Sequence, residues 1–206
     1  QVVDELIAQD PRSAEVIFPF VEGKDVKRYQ SLPIHQYLIL FRKGQTREYF
    51  VQKEYQRAVL DNQENDVKFD PKELWSYLYK TIKITQEDAF EWLSTHYPAI
   101  TKHLLPYKDK AIERGDKGEF WWELRACSYY EEFEKPKLVY PNICRRPEFT
   151  FDDSAVFTNQ KCFIVGCSDY YLLGVLNSAI TNFLFRNILP ALRGNFYEPN
   201  YALLKD

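Results

Sequence analysis

One stretch of the sequence, Glu119 to Cys144, constrains the fold more than any other part. It begins with a dense aromatic cluster and ends with the apolar run Leu138-Val139-Tyr140, which Pro141-Asn142 closes. A short apolar run closed by a turn predicts a buried strand. Tryptophan and tyrosine bury large areas while keeping one polar tip, so the simplest interpretation of the cluster is that its rings are core residues. Its rings are Trp121, Trp122, Tyr129, Tyr130 and Phe133.

The bulk composition indicates a folded globular chain. Its 206 residues are enough for one large domain or two small ones. Hydrophobic residues make up 45% and aromatic residues 17% of the chain, which argues against disorder. The 27 basic and 30 acidic residues give a net charge of −3, which argues against a polybasic nucleic-acid binder but leaves a local basic face open.

The residues that usually carry catalysis or bind metals show no recognisable pattern. Four cysteines, at positions 127, 144, 162 and 167, form no CxxC pair and have no zinc-site spacing, so we expect reduced thiols and no metal. The three histidines also lack metal-site spacing. A phosphate-cradling glycine loop, a GxSxG elbow and an HExxH motif are all absent from the sequence. The sequence therefore gives little ground for an active site.

No segment of the sequence reads as a membrane span or a signal peptide. The most apolar candidate, Tyr170 to Leu189, is interrupted by polar residues, and the N-terminus lacks a basic start and an apolar stretch. The chain contains no methionine, so we expect an excised fragment of a larger protein. Together with the reduced thiols, these features predict a cytoplasmic location.

Hydrophobic periodicity predicts an α+β fold with mixed short-strand sheets, packed helices and one long C-terminal helix, Tyr170 to Leu189. A first helix is expected to stop at Asp10-Pro11, and further helices to begin at Pro71 and Pro98. Residues 44–70 are polar, and helix and inserted arm both remain open for them. The predicted strands are Glu15–Phe18, Gln36–Phe41, Leu138–Tyr140, Phe149–Phe151, and a hairpin of Ala155–Thr158 with Lys161–Val165.

Several short segments of the sequence resemble the TaqI-like C-terminal specificity domain, which is the target-recognition domain of adenine-specific DNA methyltransferases and type IIG restriction-modification enzymes. They recur in family order and cover nearly the whole chain apart from residues 44–70. These segments are FPFVEGKDVKRY (18–29), YPAI with HL (97–104), GEFWWELRACSYY (118–130), FEKPKLVYP (133–141), YLLGVLNS (171–178) and RG (193–194).

The resemblance implies that residues 1–206 are one DNA target-recognition domain of a prokaryotic defence protein. In such proteins an N-terminal methyltransferase domain binds S-adenosylmethionine and methylates adenine N6 through an Asn-Pro-Pro-Tyr motif, which this chain lacks. We therefore expect a non-catalytic, monomeric fragment without a cofactor of its own. Its partners would be duplex DNA and the methyltransferase domain of the same polypeptide. Whether the parent also cleaves DNA stays open.

Sequence readout needs donors that reach base edges, such as Arg for guanine and Asn for adenine, while other cations hold phosphates. Such donors usually lie in loops on a rigid scaffold. Arg145 and Arg146, just past a predicted strand, are the preferred contacts, whereas family words such as Trp121, Trp122, Leu124 and Leu176-Asn177-Ser178 are expected to be scaffold or domain contact. The full candidate set is Lys24, Arg28, Arg42, Lys43, Lys108, Lys110, Arg114, Arg145, Arg146, Arg193 and Asn195.

Two alternatives belong to other functional classes. The first is a protein-docking module of a phage-defence complex, which would show no salt-dependent affinity for DNA. The second is a magnesium-dependent nuclease that uses Glu148, Asp152 and Asp153, because hard cations prefer carboxylate oxygens.

Overall fold

The computed structural model describes residues 1–65 and 70–199, with side chains described for all of these except 62–65. The chain forms two compact units, each built from two separate stretches. The helical unit comprises Gln1–Val16 and Leu40–Ala126, and the sheet unit comprises Ile17–Ile39 and Cys127–Asp206. Helices and small sheets confirm the α+β prediction. That residues 1–206 act as one target-recognition domain stays a prediction.

The helical unit is built from short helices whose starts follow the sequence signals. Asp70 caps α3 by accepting the backbone N–H groups of Lys72 and Glu73, and Thr85 and Asp88 cap α4 reciprocally. Proline opens α3 and α5, as predicted. The helices are α1 (Val2–Gln9), α2 (Gln45–Asn65), α3 (Pro71–Thr81), α4 (Gln86–His96), α5 (Pro98–Leu104) and α6 (Lys108–Glu113), with 3-10 turns at Pro11–Glu15 and Leu105–Tyr107.

Helix α2 occupies most of residues 44–70, where helix and arm were both open. Residues 66–69 lie outside the described part of the chain. Tyr55 of α2 contacts Trp75 of α3 with a ring-centroid distance of 5.7 Å. Whether the segment acts as an inserted arm stays a prediction.

Aromatic rings fill the core of the helical unit. The Phe120 and Trp122 rings stack with centroids 5.1 Å apart, and the Trp122 indole Nε1 donates to Thr46 Oγ1 at 3.1 Å. Phe41 contacts Tyr97 edge-on at 5.3 Å. Trp121 and Trp122 are buried, which confirms the core expected from the aromatic cluster at its N-terminal end. Tyr129, in the sheet unit, departs from that expectation because 52% of its surface is exposed.

The sheet unit contains small sheets with the strand orders β2-β1-β5, β4-β3-β6 and β7-β8. Strand β3 is the central, fully buried strand of its sheet, as its apolar run predicted. The strands are β1 (Ile17–Val21), β2 (Gln36–Ile39), β3 (Lys137–Pro141), β4 (Thr150–Asp152), β5 (Phe157–Thr158), β6 (Cys162–Val165), β7 (Ala191–Leu192) and β8 (Phe196–Tyr197). The helices are α7 (Tyr130–Glu134), α8 (Tyr170–Leu176) and α9 (Ala179–Ile188), with a 3-10 turn at Gly23–Asp25.

The predicted hairpin of residues 155–158 with 161–165 is wrong. Strand β5 pairs in parallel with β1, and β6 pairs antiparallel with β3. The reason is that the two strands supply different cores: Phe157 stacks on Phe133, whereas Phe163 packs against Tyr140. Burial against separate partners overrides the local turn signal. The first strand is also shifted, since Glu15 ends a 3-10 turn and β1 begins at Ile17.

The long C-terminal helix expected over residues 170–189 is divided into α8 and α9. The Ser178 hydroxyl accepts the Thr181 N–H and so begins a second helix, and the Asn177 side chain bonds the backbone of Phe149. Asparagine and serine favour such local bonds over a continuing helix, which explains the interruption. In the described residues, no helix is long and apolar enough to cross a membrane.

A continuous core holds the loops that follow β3. Leu138, Tyr140 and Phe149 pack with Leu173 of α8 and Phe185 of α9 in one buried cluster. Tyr140 is the next-to-last residue of the central strand and Phe149 directly precedes β4, so buried rings flank the intervening loop at both ends. This loop carries the arginine pair singled out in the sequence.

Candidate nucleic-acid interface

The loop after β3 is anchored at Cys144. Its backbone N–H donates to the Tyr197 carbonyl at 3.0 Å, and the Tyr197 N–H donates back to the Cys144 carbonyl at 2.7 Å. The thiol is buried, and burial raises its pKa to about 12, so it stays neutral and packs as a small apolar group. Arg145 and Arg146 therefore extend from a fixed residue.

Arg145 lies over an aromatic ring in the C-terminal hairpin. Its guanidinium carbon is 4.6 Å from the centroid of Phe196, which is within cation–π distance. The turn of the same hairpin holds Arg193, Gly194 and Asn195, with φ of 82° at Gly194 and 59° at Asn195. Glycine and asparagine tolerate this left-handed region best. The hairpin thus brings Arg193 and Asn195 to the segment that carries Arg145.

Arg146 shares a carboxylate with a lysine from a distant part of the chain. The Arg146 Nε is 3.7 Å from Glu148 Oε1, and the Lys27 Nζ is 3.6 Å from Glu148 Oε2. The side chains of Arg146 and Lys27 are 59% and 51% exposed. Exposed pairs at such distances are weak, so both cations remain accessible to another anion.

Arg28 is braced by Asn177, which follows the last residue of α8. Its Nη1 donates to the Asn177 carbonyl at 3.1 Å. The Asn177 amide in turn pairs with both backbone groups of Phe149, at 3.0 and 2.9 Å. The turn around Arg28 is therefore tied to the residues that follow Arg146. We call the cations on these three connected segments the basic surface: Lys27, Arg28, Arg145, Arg146 and Arg193.

Lys24 has a different local role. Its ammonium is 3.0 Å from Glu22, and Lys161 approaches the same carboxylate at 3.4 Å. The hydrogen bonds from Lys24 and then Lys161 lower the pKa of Glu22, so its carboxylate stays charged and offsets these lysines.

The remaining candidates lie in the helical unit. Arg114 is half-buried and donates Nη2 to the carbonyls of Trp121 and Glu123, at 3.0 and 3.1 Å. The exposed Lys108 lies over the Phe90 ring at 5.6 Å. Arg42 is partly buried, whereas Lys43 and Lys110 are exposed. That any of the candidates in either unit contacts DNA stays a prediction.

Two of the three carboxylates proposed for a nuclease, Glu148 and Asp152, already have partners. Asp152 is buried and accepts hydrogen bonds from Lys137 Nζ at 2.5 Å and from the Val156 N–H at 3.1 Å. Burial raises the pKa of Asp152, but the hydrogen bonds from Lys137 and Ser154 outweigh it and the net shift is downward. In residues 1–65 and 70–199, no group of His, Cys, Asp and Glu side chains could hold a metal ion. Asp152 is thus a structural anion.

Sequence reasoning missed Lys27, and although it expected Leu176-Asn177-Ser178 to be scaffold or domain contact, it did not identify Phe149 as the partner of Asn177. Lys27 adjoins the predicted Arg28, and the charge cluster Lys24, Lys27 and Arg28 was the signal that could have found it. The pairing of Asn177 with Phe149 spans 28 positions, so no local pattern contains it.

Arg145, Arg146 and Arg193 are exposed on loops that buried residues fix, which is an arrangement typical of recognition sites. The sequence matches the TaqI-like C-terminal specificity domain over residues 18–206, and the chain belongs to that family. The resemblance found in the sequence is confirmed, and DNA target recognition in restriction-modification is the role this membership gives the chain. No curated protein matches the chain in a sequence comparison.

Proposed function

We propose that the chain recognises a specific sequence in duplex DNA through the basic surface of the sheet unit. The observation that carries this proposal is the linkage of three loops, which presents Arg28, Arg145, Arg146 and Arg193 from one braced scaffold. Loops held by a buried core present side chains at low entropic cost. The net charge of −3 does not oppose this role, because association depends on the local field.

The loops divide naturally between two kinds of DNA contact. Arginine can pair with the O6 and N7 of guanine, and asparagine with the N6 and N7 of adenine, in the major groove. Arg145 and Asn195, which lie at the hairpin, are the proposed readers of base edges. Lys27 and Arg146, which share Glu148, are the proposed phosphate contacts.

The parent protein is proposed to be an N6-adenine DNA methyltransferase or a type IIG restriction-modification enzyme. In this proposal the present chain positions DNA, and a methyltransferase domain of the same polypeptide binds S-adenosylmethionine. That domain would act on an adenine rotated out of the duplex, since a stacked base is out of reach. The present chain is proposed to have no catalytic residue and to act as a monomer.

Selection from a random duplex pool tests the proposed function. The 206-residue chain should enrich one sequence, with an affinity that falls as salt rises. The double variant Arg145→Ala/Arg146→Ala should lose that enrichment. Lys53→Ala/Arg57→Ala removes two exposed cations from α2 and should retain it. Failure of the wild-type chain to bind any duplex would overturn the proposal.

Exposed apolar residues on α9 favour a second candidate function, protein docking. Ile180, Phe183 and Ile188 are 73%, 65% and 58% exposed, which is unusual for large apolar side chains on one helix. Within the main proposal, this face would contact the methyltransferase domain. Mapping methyl-adenine in DNA from cells that express the parent, with and without this chain, separates the candidates. Loss of a defined methylated motif supports recognition, and unchanged methylation supports docking alone.

A further inference from the structure

An exposed aromatic residue adjoining the basic surface, Tyr29, has a strained backbone conformation. Residues 27–30 form a tight turn closed by the Gln30 N–H, which donates to the Lys27 carbonyl at 3.2 Å. Tyr29 occupies the third position of this turn with a φ of 60°. Glycine is the usual residue at such a position, because a bulky side chain is strained in the left-handed region. Tyr29 is nevertheless 57% exposed.

The turn is held rigidly beneath that ring. The Tyr29 N–H donates to the Phe149 carbonyl at 3.3 Å, and the Thr150 hydroxyl donates to the Gln30 carbonyl at 2.6 Å. The Arg28 guanidinium carbon lies 5.6 Å from the centroid of the Tyr29 ring. Backbone strain that the surroundings enforce is typical of residues with a role in binding.

We propose that Tyr29 is an aromatic wedge that inserts at a base step of the bound duplex and stacks on a base. This inference rests on the proposed function and adds a residue that acts on the shape of DNA. An aromatic face stacks on any base, and neighbouring cations offset the adjacent phosphates. Tyr29 is flanked by such cations, Lys27 and Arg28. Insertion of a side chain unstacks a step and kinks the duplex.

The test uses the duplex obtained in the selection, with 2-aminopurine placed at each position in turn. Binding of the wild-type chain should raise 2-aminopurine fluorescence at one step, because unstacking relieves its quenching. Tyr29→Ala should bind roughly tenfold more weakly and give no rise, as expected for the loss of one base–aromatic stack. Tyr29→Phe should behave as wild type, since the ring does the stacking.

Tyr29→Gly separates stacking from folding. Glycine adopts a positive φ without strain, so this variant should unfold at the same or a higher urea concentration than wild type. It should still lose the fluorescence rise. Tyr37→Ala is the matched control, because Tyr37 is 49% exposed and its φ is not positive. That variant should keep both the affinity and the rise.

A duplex with an abasic site at the responsive step gives an independent measurement. The wild-type chain should bind it more tightly than the intact duplex, because the cost of unstacking is removed, and Tyr29→Ala should not gain. A fluorescence rise that survives in Tyr29→Ala, or no rise at any step when wild type is bound, would overturn the wedge while leaving DNA recognition standing. Loss of the rise in Tyr29→Phe would also overturn it. Absence of any DNA binding by wild type would instead refute the proposed function.

Discussion

Arg114 in the helical unit and Arg145 in the sheet unit are both loop arginines beside aromatic residues, yet their surroundings differ. The Arg114 guanidinium is half-buried and donates to two backbone carbonyls of the segment that contains Trp121. Arg145 is exposed, and its guanidinium carbon lies 4.6 Å from the centroid of the Phe196 ring. The first arrangement uses the donors of arginine inside the fold, and the second leaves them for a ligand. The two arginines are alike in the sequence, and the groups that each one contacts in the structure distinguish them as candidate DNA contacts.

The same contrast extends to other cations of the helical unit. Arg47 pairs with Glu119 and also donates to the carbonyls of Tyr79 and Ile82, at 3.2 and 3.0 Å. The hydrogen bonds that Arg47 donates to Glu119 raise the pKa of Arg47, so its charge is permanent. Arg47 thus holds helices α2 and α3 to the segment before the tryptophans. In the sheet unit, by contrast, the exposed Arg146 contacts the carboxylate of Glu148 at 3.7 Å.

The largest expected effect concerns Glu123, the carboxylate at the centre of the helical unit. It is fully buried and accepts the backbone N–H groups of Gly44, Thr46, Glu119 and Phe120. Glu123→Ala leaves these donors without an acceptor and should lower the free energy of unfolding by about 5 kcal/mol, since each buried donor costs about 1–3 kcal/mol. Urea denaturation measures the change.

Glu113→Ala is the control for that variant. Glu113 is an exposed glutamate at the end of α6, and its removal should change the unfolding free energy by less than about 0.5 kcal/mol. Equal stability of the two variants would mean that Glu123 does not organise the loop. Gly118 packs closely on the same glutamate. A Cβ at Gly118 would lie 2.5 Å from the Glu123 Cβ, so a larger residue there would displace the Glu123 side chain.

The next largest effect concerns the buried pair of Lys137 and Asp152 in the sheet unit. Lys137→Met keeps much of the side-chain volume but leaves a buried carboxylate without its cation. The free energy of unfolding at pH 7 should fall by about 3 kcal/mol, as is typical when one partner of a buried pair is removed. Lys161→Met removes an exposed lysine and should have little effect.

The same pair predicts how stability depends on pH. The folded pKa of Asp152 is lower than its ordinary value of 3.8, so its contribution is present above about pH 4. That contribution should be lost as the pH falls below 3.8 through the folded pKa. In Lys137→Met, burial acts without the cation and should raise the pKa of Asp152, so acidification should stabilise this variant relative to wild type. Parallel pH profiles for the two proteins would contradict the assignment.

Local signals predicted much of the helical unit, because each cap or proline lies within a few residues of the helix that it begins. The starts at Pro71 and Pro98 are examples. Pairing between distant strands was harder: the partner of β5 is β1, which lies more than a hundred residues earlier, and no short window contains both. The interruption at Asn177 depends on Phe149 for the same reason.

The sequence predicted which kinds of residue would form the candidate interface, but it did not predict their arrangement in space. Loop position correctly placed Arg145, Arg146 and Arg193 on exposed segments. It also selected Arg114, because a sequence does not show that two carbonyls surround a guanidinium. It omitted Lys27 and Tyr29, which become neighbours of the arginine pair only through Glu148 and Phe149.

Arg114→Ala tests whether Arg114, unlike Arg145, serves the fold and not DNA binding. The variant frees two carbonyls of a buried aromatic segment and should lower the free energy of unfolding by about 2 kcal/mol, because hydrogen bonds to a charged donor contribute about 1.5–3 kcal/mol. Affinity for the selected duplex, measured where the variant is folded, should be unchanged. A large loss of affinity would return Arg114 to the set of DNA contacts and remove the distinction between the two units.

The smallest effects on stability and the sharpest on binding are expected for Arg145→Ala and Arg146→Ala. Each side chain is exposed, so the free energy of unfolding should change by less than about 0.5 kcal/mol. Arg145→Ala should cost about 1–3 kcal/mol on the selected duplex and relax preference at one base pair, as expected for a reader of a base edge. Arg146→Ala should weaken binding to all sequences alike and reduce the slope of log affinity against log salt by about 1, which is the signature of one lost phosphate contact. Exchange of these two signatures would reverse the assigned roles, and loss of folding in either variant would place that arginine with Arg114 as part of the scaffold.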